Sequence, residues 1–105
     1  MDTMELGGNI SLSGFSNLDF TELIVVKKMV GQYARRLSDS TPAFTRLTIH
    51  RKEVHGTSKI EVMVKAEVES KEYVSESVGH NLFVVLDECL KHVQTQVQKH
   101  LETAQ

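Results

Sequence analysis

Several stretches of the chain alternate apolar and polar residues, and this two-residue period is typical of half-buried strands. Residues 10–13, 44–52 and 60–68 follow the pattern, and a weaker example runs through residues 73–78. Turn-forming residues separate the last three stretches, so hairpin links should join them into an antiparallel meander. The pattern therefore predicts four strands.

Two other stretches place apolar residues three or four positions apart, which is the period of an amphipathic helix. Asp19 followed by Glu22 predicts a capping box at the start of the first helix. Turn formers and a proline follow Leu37, so this helix should end near that residue. The apolar positions of the first helix are Leu23, Val26, Val30, Tyr33, Ala34 and Leu37. Those of the second are Leu82, Leu86, Leu90, Val93, Val97 and Leu101.

These elements predict one α+β domain, a two-layer sandwich of order β-α-β-β-β-α with both helices on one face of a four-stranded sheet. A chain of 105 residues can bury one core but not two. The domain should span residues 9–105, preceded by a flexible N-terminus of residues 1–8. We expect the core to bury together Leu47, Ile49, Val62, Val64, Leu86, Leu90 and Val93.

The chain has one cysteine, an acidic start and no long apolar run. A single cysteine cannot form an internal disulfide, which favours a reducing compartment. The first residues lack the basic and apolar regions of a signal peptide, and no stretch is apolar enough for a membrane span. We therefore expect a soluble cytoplasmic protein without membrane contact.

Sequence motifs that carry a reaction mechanism are missing: there is no glycine-rich phosphate loop, paired-cysteine motif, H-E-x-x-H or G-x-S-x-G. The five histidines are spread along the chain at spacings that make no ligand set. Cys89 lies beside the apolar positions of the last helix, which predicts a packing residue. We expect no enzyme activity, no cofactor and no metal site, and a small-molecule site would have to use the histidines.

Positive charge is concentrated in the middle of an acidic chain. The net charge is -2, yet residues 27–59 contain eight Lys and Arg against two carboxylates. Arg46, His50 and Lys52 should point the same way from one strand, and helix cations could join them. A solvated charged face explains such residues equally well, so the pattern alone does not decide between the two.

Two stretches of the sequence match a known family pattern. Residues 81–87 read Asn-Leu-Phe-Val-Val-Leu-Asp and residues 97–100 read Val-Gln-Lys-His. They resemble the second helix of the ribosome hibernation promoting factors, also called S30AE or protein Y type, in which Asp-Met-Tyr-Ala-Ala-Ile-Asp precedes a leucine stripe and Gln-Leu-x-Lys-His. Four residues occupy matching positions of that pattern, namely Phe83, Asp87, Lys99 and His100. Residues 10–14 resemble the family's opening strand, and the order of elements is similar over residues 9–101.

The resemblance implies a fold like the double-stranded RNA-binding domain and a factor that binds the small ribosomal subunit, where it inhibits or stabilises idle ribosomes under stress. Its partner would be small-subunit rRNA, contacted through phosphates without catalysis. The expected rRNA-binding residues are Lys28, Arg35, Arg46, His50, Lys52, Lys91 and Lys99. Family members carry more Lys and Arg on the second helix, whereas this chain has Gln94, Thr95, Gln96 and Gln98 there.

Fewer cations mean fewer phosphate contacts, so a second reading stays open. The chain could be a divergent protein-interaction module of the same fold that does not bind RNA. Such a module could self-associate as a homodimer through an exposed strand edge or sheet face, and the acidic net charge favours this alternative.

Overall fold

The computed structural model describes residues 2–103 of the chain. These residues form five strands and two helices in the order β1 (Thr3–Leu6), β2 (Ile10–Ser13), α1 (Phe20–Ser40), β3 (Phe44–Glu53), β4 (Ile60–Val68), β5 (Lys71–Gly79) and α2 (Leu82–Thr103). The predicted α+β class and the order of the six predicted elements are confirmed.

The five strands form one mixed sheet in the order β1-β2-β3-β4-β5. β2 runs parallel to β3, and β3, β4 and β5 form the predicted antiparallel meander. The prediction of four strands is wrong by one, because β1 lies within the segment for which no element was expected. Gly7 and Gly8 both have positive φ angles, and they turn the chain so that β1 pairs antiparallel with β2.

The predicted capping box begins α1. The Asp19 carboxylate accepts a hydrogen bond from the Glu22 N–H at 2.8 Å, and the Glu22 carboxylate accepts one from the Asp19 N–H at 3.3 Å. The helix continues to Ser40, three residues beyond the predicted end at Leu37. It stops where the N–H of Thr41, just before the proline, donates to the Leu37 carbonyl at 2.8 Å.

Both helices cover the same face of the sheet, as expected. Their apolar stripes pack on the inward-facing residues of β2, β3 and β4 to form one buried core. All seven residues predicted for this core are buried within it. Burying one such side chain contributes about 1.5–3 kcal/mol, so the inner face holds the two layers together. The other face of the sheet, the open face, carries no helix among the described residues.

Cys89 lies inside this core. Its thiol donates to the Ser75 carbonyl at 3.2 Å and contacts the Val62 carbonyl at 3.4 Å. Burial raises the pKa of the Cys89 thiol, which keeps it protonated at neutral pH. Its predicted burial is confirmed. Neither helix, over the residues described, is long and apolar enough to cross a membrane.

Candidate nucleic-acid interface

The cations predicted to bind rRNA lie on two opposite sides of the molecule. Arg46, His50 and Lys52 are on the open face of the sheet, because Leu47 and Ile49 between them point into the core. The helix residues Lys28, Arg35, Lys91 and Lys99 are on the layer that covers the other face. One flat partner surface cannot contact both sets.

On the open face, Arg46 is bound by a carboxylate that the sequence did not suggest. Its guanidinium donates to both oxygens of Glu5 on β1, at 2.5 and 2.8 Å. The hydrogen bond from Arg46, and to a smaller extent that from Ser11, lowers the pKa of the Glu5 carboxyl, which favours its charged form. Because the sequence pattern does not predict β1, it does not predict that Glu5 neutralises Arg46 either.

The other two cations of the open face, Lys52 and Lys65, are paired as well. Lys52 lies 3.3 Å from Glu61, and Lys65 lies 3.4 Å from Glu72. His50 shares a hydrogen bond of 2.8 Å with Ser13. The strand registers place three Lys and Arg residues on this face against five carboxylates, which are Glu5, Glu61, Glu67, Glu72 and Glu76. The open face is therefore acidic in balance, which opposes phosphate binding.

The outer surface of α1 has the opposite balance. Four positively charged side chains are exposed there, whereas the whole helix contains two carboxylates. The four are Lys27, Lys28, Arg35 and Arg36. Among the ion pairs formed within residues 2–103, none includes any of these four cations. The Arg36 guanidinium lies over the Tyr33 ring at 5.0 Å, a cation–π contact that leaves its charge in place. We call these four residues the α1 cations.

The contact between the two helices contains a small polar network. The Tyr33 hydroxyl donates to Asp87 at 3.0 Å, and the Lys91 ammonium lies 3.0 Å from the other Asp87 oxygen. Lys91, followed by Tyr33, lowers the pKa of the Asp87 carboxyl, while Asp87 raises the pKa of Lys91. Burial and the Asp87 hydrogen bond raise the pKa of Tyr33. Lys91 thus balances a carboxylate on α2, whereas the α1 cations add net charge.

Two features of α1 escaped the sequence analysis. Phe20 and Ile24 lie off the buried stripe and are 77% and 48% exposed. Gly31 stands in the middle of the helix, where glycine is among the least favourable residues. The signal was available, since all three fall outside the three-and-four spacing of the core residues. Single exposed apolar residues are common, however, so this signal alone predicts no site.

The described part of the chain gives no sign of a metal centre. No group of three or more His, Cys, Asp or Glu side chains within it could hold a metal ion. An open depression at the β4–β5 turn is lined by Thr45, Glu67, Glu69, Ser70, Lys71 and Glu72. Its acidic lining is unsuited to an anionic ligand. Comparison with known proteins found neither a matching family model nor a matching curated protein.

Proposed function

We propose that this protein binds small-subunit rRNA and inhibits translation or stabilises idle ribosomes under stress. The observation that carries the proposal is the group of α1 cations, four exposed positive charges without an ion-pair partner among the described residues. The resemblance of residues 81–87 and 97–100 to the hibernation factors supplies the choice of partner. The parallel β2–β3 pair, the meander and the helices on one face are compatible with it.

Binding would act by occupying rRNA, without chemistry. Each Lys or Arg that meets a phosphate releases condensed counterions, and this release supplies most of the affinity. The α1 cations need no rearrangement to do so. Arg46 and Lys52 would first have to leave Glu5 and Glu61, and neighbouring carboxylates would still repel the phosphates. We therefore assign the contact to the helix side, with Lys28 and Arg35 at its centre.

Sucrose-gradient sedimentation with purified small subunits at two salt concentrations tests this proposal. Wild type should co-migrate with the subunit at low salt and dissociate at high salt. Lys28→Gln combined with Arg35→Gln should weaken binding and lower the salt slope by about one unit for each phosphate that no longer meets a cation. Arg46→Gln combined with Lys52→Gln is the matched control, because it removes the same charge from the open face and should leave binding close to wild type.

The opposite ranking of the two double variants would move the contact to the open face. Failure of wild type to co-migrate at low salt would reject rRNA binding and favour the protein-interaction module. One observation supports that second candidate: Val74 and Val78 are 43% and 52% exposed on the open face of β5. Exposed apolar residues among mixed charges are typical of protein contact surfaces, and Val78→Lys would then disrupt self-association.

A further inference from the structure

Five residues line one outward side of α1. They follow one another at intervals of three or four residues, so they lie on the same side of the helix. The five are Phe20, Ile24, Lys28, Gly31 and Arg35. The four side chains are exposed. We call this set the outer row. It is about 22 Å long from Phe20 to Arg35, at a rise of about 1.5 Å per residue.

The glycine in this row has no structural explanation within the protein. Its φ angle is not positive, so the backbone conformation does not require glycine. A Cβ atom built at Gly31 would meet nothing within 4 Å beyond its own helix, so packing does not require it either. Glycine disfavours the helix, but it lets another molecule approach the helix backbone closely. Its flanking cations, Lys28 and Arg35, suggest that this molecule is an anion.

The apolar end of the row adds a second requirement. Phe20 is the first residue of α1 and presents most of its ring to solvent, with Ile24 one turn further along. An unpaired RNA base stacks on such a ring, while its phosphates stay beside cations. An acidic amphipathic helix would need apolar contacts along its whole length, whereas this row is apolar only at its start. The row matches RNA better.

We infer that the outer row binds a single-stranded RNA segment, with a phosphate over Gly31 between Lys28 and Arg35 and an unpaired base stacked on Phe20. This inference rests on the proposed function and specifies its substrate as an RNA loop, bulge or end. A regular duplex keeps its bases stacked inside and offers none to Phe20. The row should therefore distinguish single strands from duplexes of the same sequence.

Two RNA probes test the inference, a hairpin with a single-stranded tail carrying one 2-aminopurine and a blunt duplex carrying the same base. The chain contains no tryptophan, so protein fluorescence does not obscure the probe. Wild type should bind the tailed hairpin more tightly and change its fluorescence through stacking. Phe20→Leu keeps an apolar side chain but removes the ring, and it should weaken tail binding by about tenfold. Its affinity for the duplex should not change.

Gly31→Ala provides an independent measurement. Alanine is the better helix former, so the variant should melt about 4 °C higher than wild type. It should nevertheless bind the tailed hairpin several-fold more weakly, because the methyl group keeps the phosphate from the backbone. Thr95→Ala, at an exposed position on α2, is the control: it should also stabilise the helix but leave binding unchanged. A merely structural glycine would not separate stability from binding in this way.

The outcomes separate this inference from the proposed function. If wild type binds both probes equally and Phe20→Leu changes nothing, base stacking is wrong, while loss of binding in the Lys28/Arg35 variant would uphold the phosphate contact. If wild type binds neither probe nor the small subunit, both proposals fail. If a poly-glutamate peptide displaces the tailed hairpin as well as unlabelled RNA does, the row is a general acidic-partner surface and the RNA assignment is overturned.

Discussion

Gly14 joins β2 to the segment that leads into α1, and its replacement by alanine should be severely destabilising. A Cβ atom at this position would lie 1.9 Å from the carbonyl oxygen of Arg51 on β3. The Arg51 guanidinium also donates to the Gly14 carbonyl at 3.0 Å, which holds Gly14 against β3. The Asp2 carboxylate accepts from the Gly14 N–H at 3.0 Å. Any added side chain must therefore push β2 and β3 apart.

Two terms contribute to the cost. The φ angle of Gly14 is +83°, and holding a residue with a Cβ atom in this left-handed region costs about 1–2 kcal/mol. Relieving the overlap with Arg51 requires a backbone shift, and such overpacking costs a further 1–3 kcal/mol, roughly. The sum is about 2–5 kcal/mol, which is a large share of the roughly 5–15 kcal/mol that stabilises a whole domain.

Urea unfolding measures this cost, and Gly8→Ala provides a matched control. Gly8 has the same φ angle of +83°, but a Cβ atom there meets nothing within 4 Å. Gly8→Ala should therefore cost only the backbone term, about 1–2 kcal/mol, and Gly14→Ala about twice as much. Equal losses in the two variants would show that the close approach of Gly14 to Arg51 does not exist in solution.

Three further changes test other parts of the fold. Cys89→Ala should lower the free energy of unfolding by about 1 kcal/mol without affecting rRNA binding, since the thiol is buried and contacts carbonyl groups of the core; loss of binding by a folded variant would contradict this. Glu69 has a φ angle of 58°, so Glu69→Gly should raise the melting temperature, and a lower one would be evidence against the strain. Asp87→Asn removes the ion pair with Lys91 and replaces the charged acceptor of the Tyr33 hydroxyl by a neutral one, which should cost about 0.5 kcal/mol at pH 7. Because the pKa of Asp87 is lowered in the folded state, the cost should disappear as pH falls through that pKa, and a pH-independent cost would refute it.

Much of the fold was predictable from spacing alone. β4 alternates so regularly that the observed strand, Ile60–Val68, has the predicted bounds. The capping box at Asp19 and Glu22 marked the start of α1 because both groups satisfy local backbone donors. The predicted end of α1 at Leu37 is three residues too early. Turn formers such as Ser38 and Ser40 are tolerated in the last turn of a helix, and the Ser40 hydroxyl even donates to the Arg36 carbonyl.

The candidate site was less predictable, because charge pairing is a property of the assembled sheet. Arg46 and Glu5 are 41 residues apart in the chain, and they meet only because β1 and β3 flank β2. β1 has four residues, too few for a persuasive alternating pattern. The α1 cations were visible in the sequence. Only the folded arrangement shows that, among the described residues, these cations have no carboxylate partner while Arg46 and Lys52 do.

The acidic net charge of the protein does not oppose this placement of the interface. Stacked layers lie about 10 Å apart, which is close to the screening length of about 8 Å at physiological salt. The carboxylates of the open face therefore act weakly on a ligand at α1, and local charge decides binding.

The salt dependence of RNA binding tests this placement. About 0.7 counterions are released for each phosphate of a single strand, so the four α1 cations predict a slope near -3 in a plot of log affinity against log salt concentration. Affinity should then fall about 60-fold between 50 and 200 mM salt. If Arg46, Lys52, Lys91 and Lys99 also met phosphates, the slope would approach -6, roughly, and the loss would exceed about a thousandfold. A slope that steep would mean that the RNA wraps both sides of the molecule, and the assignment to α1 alone would be wrong.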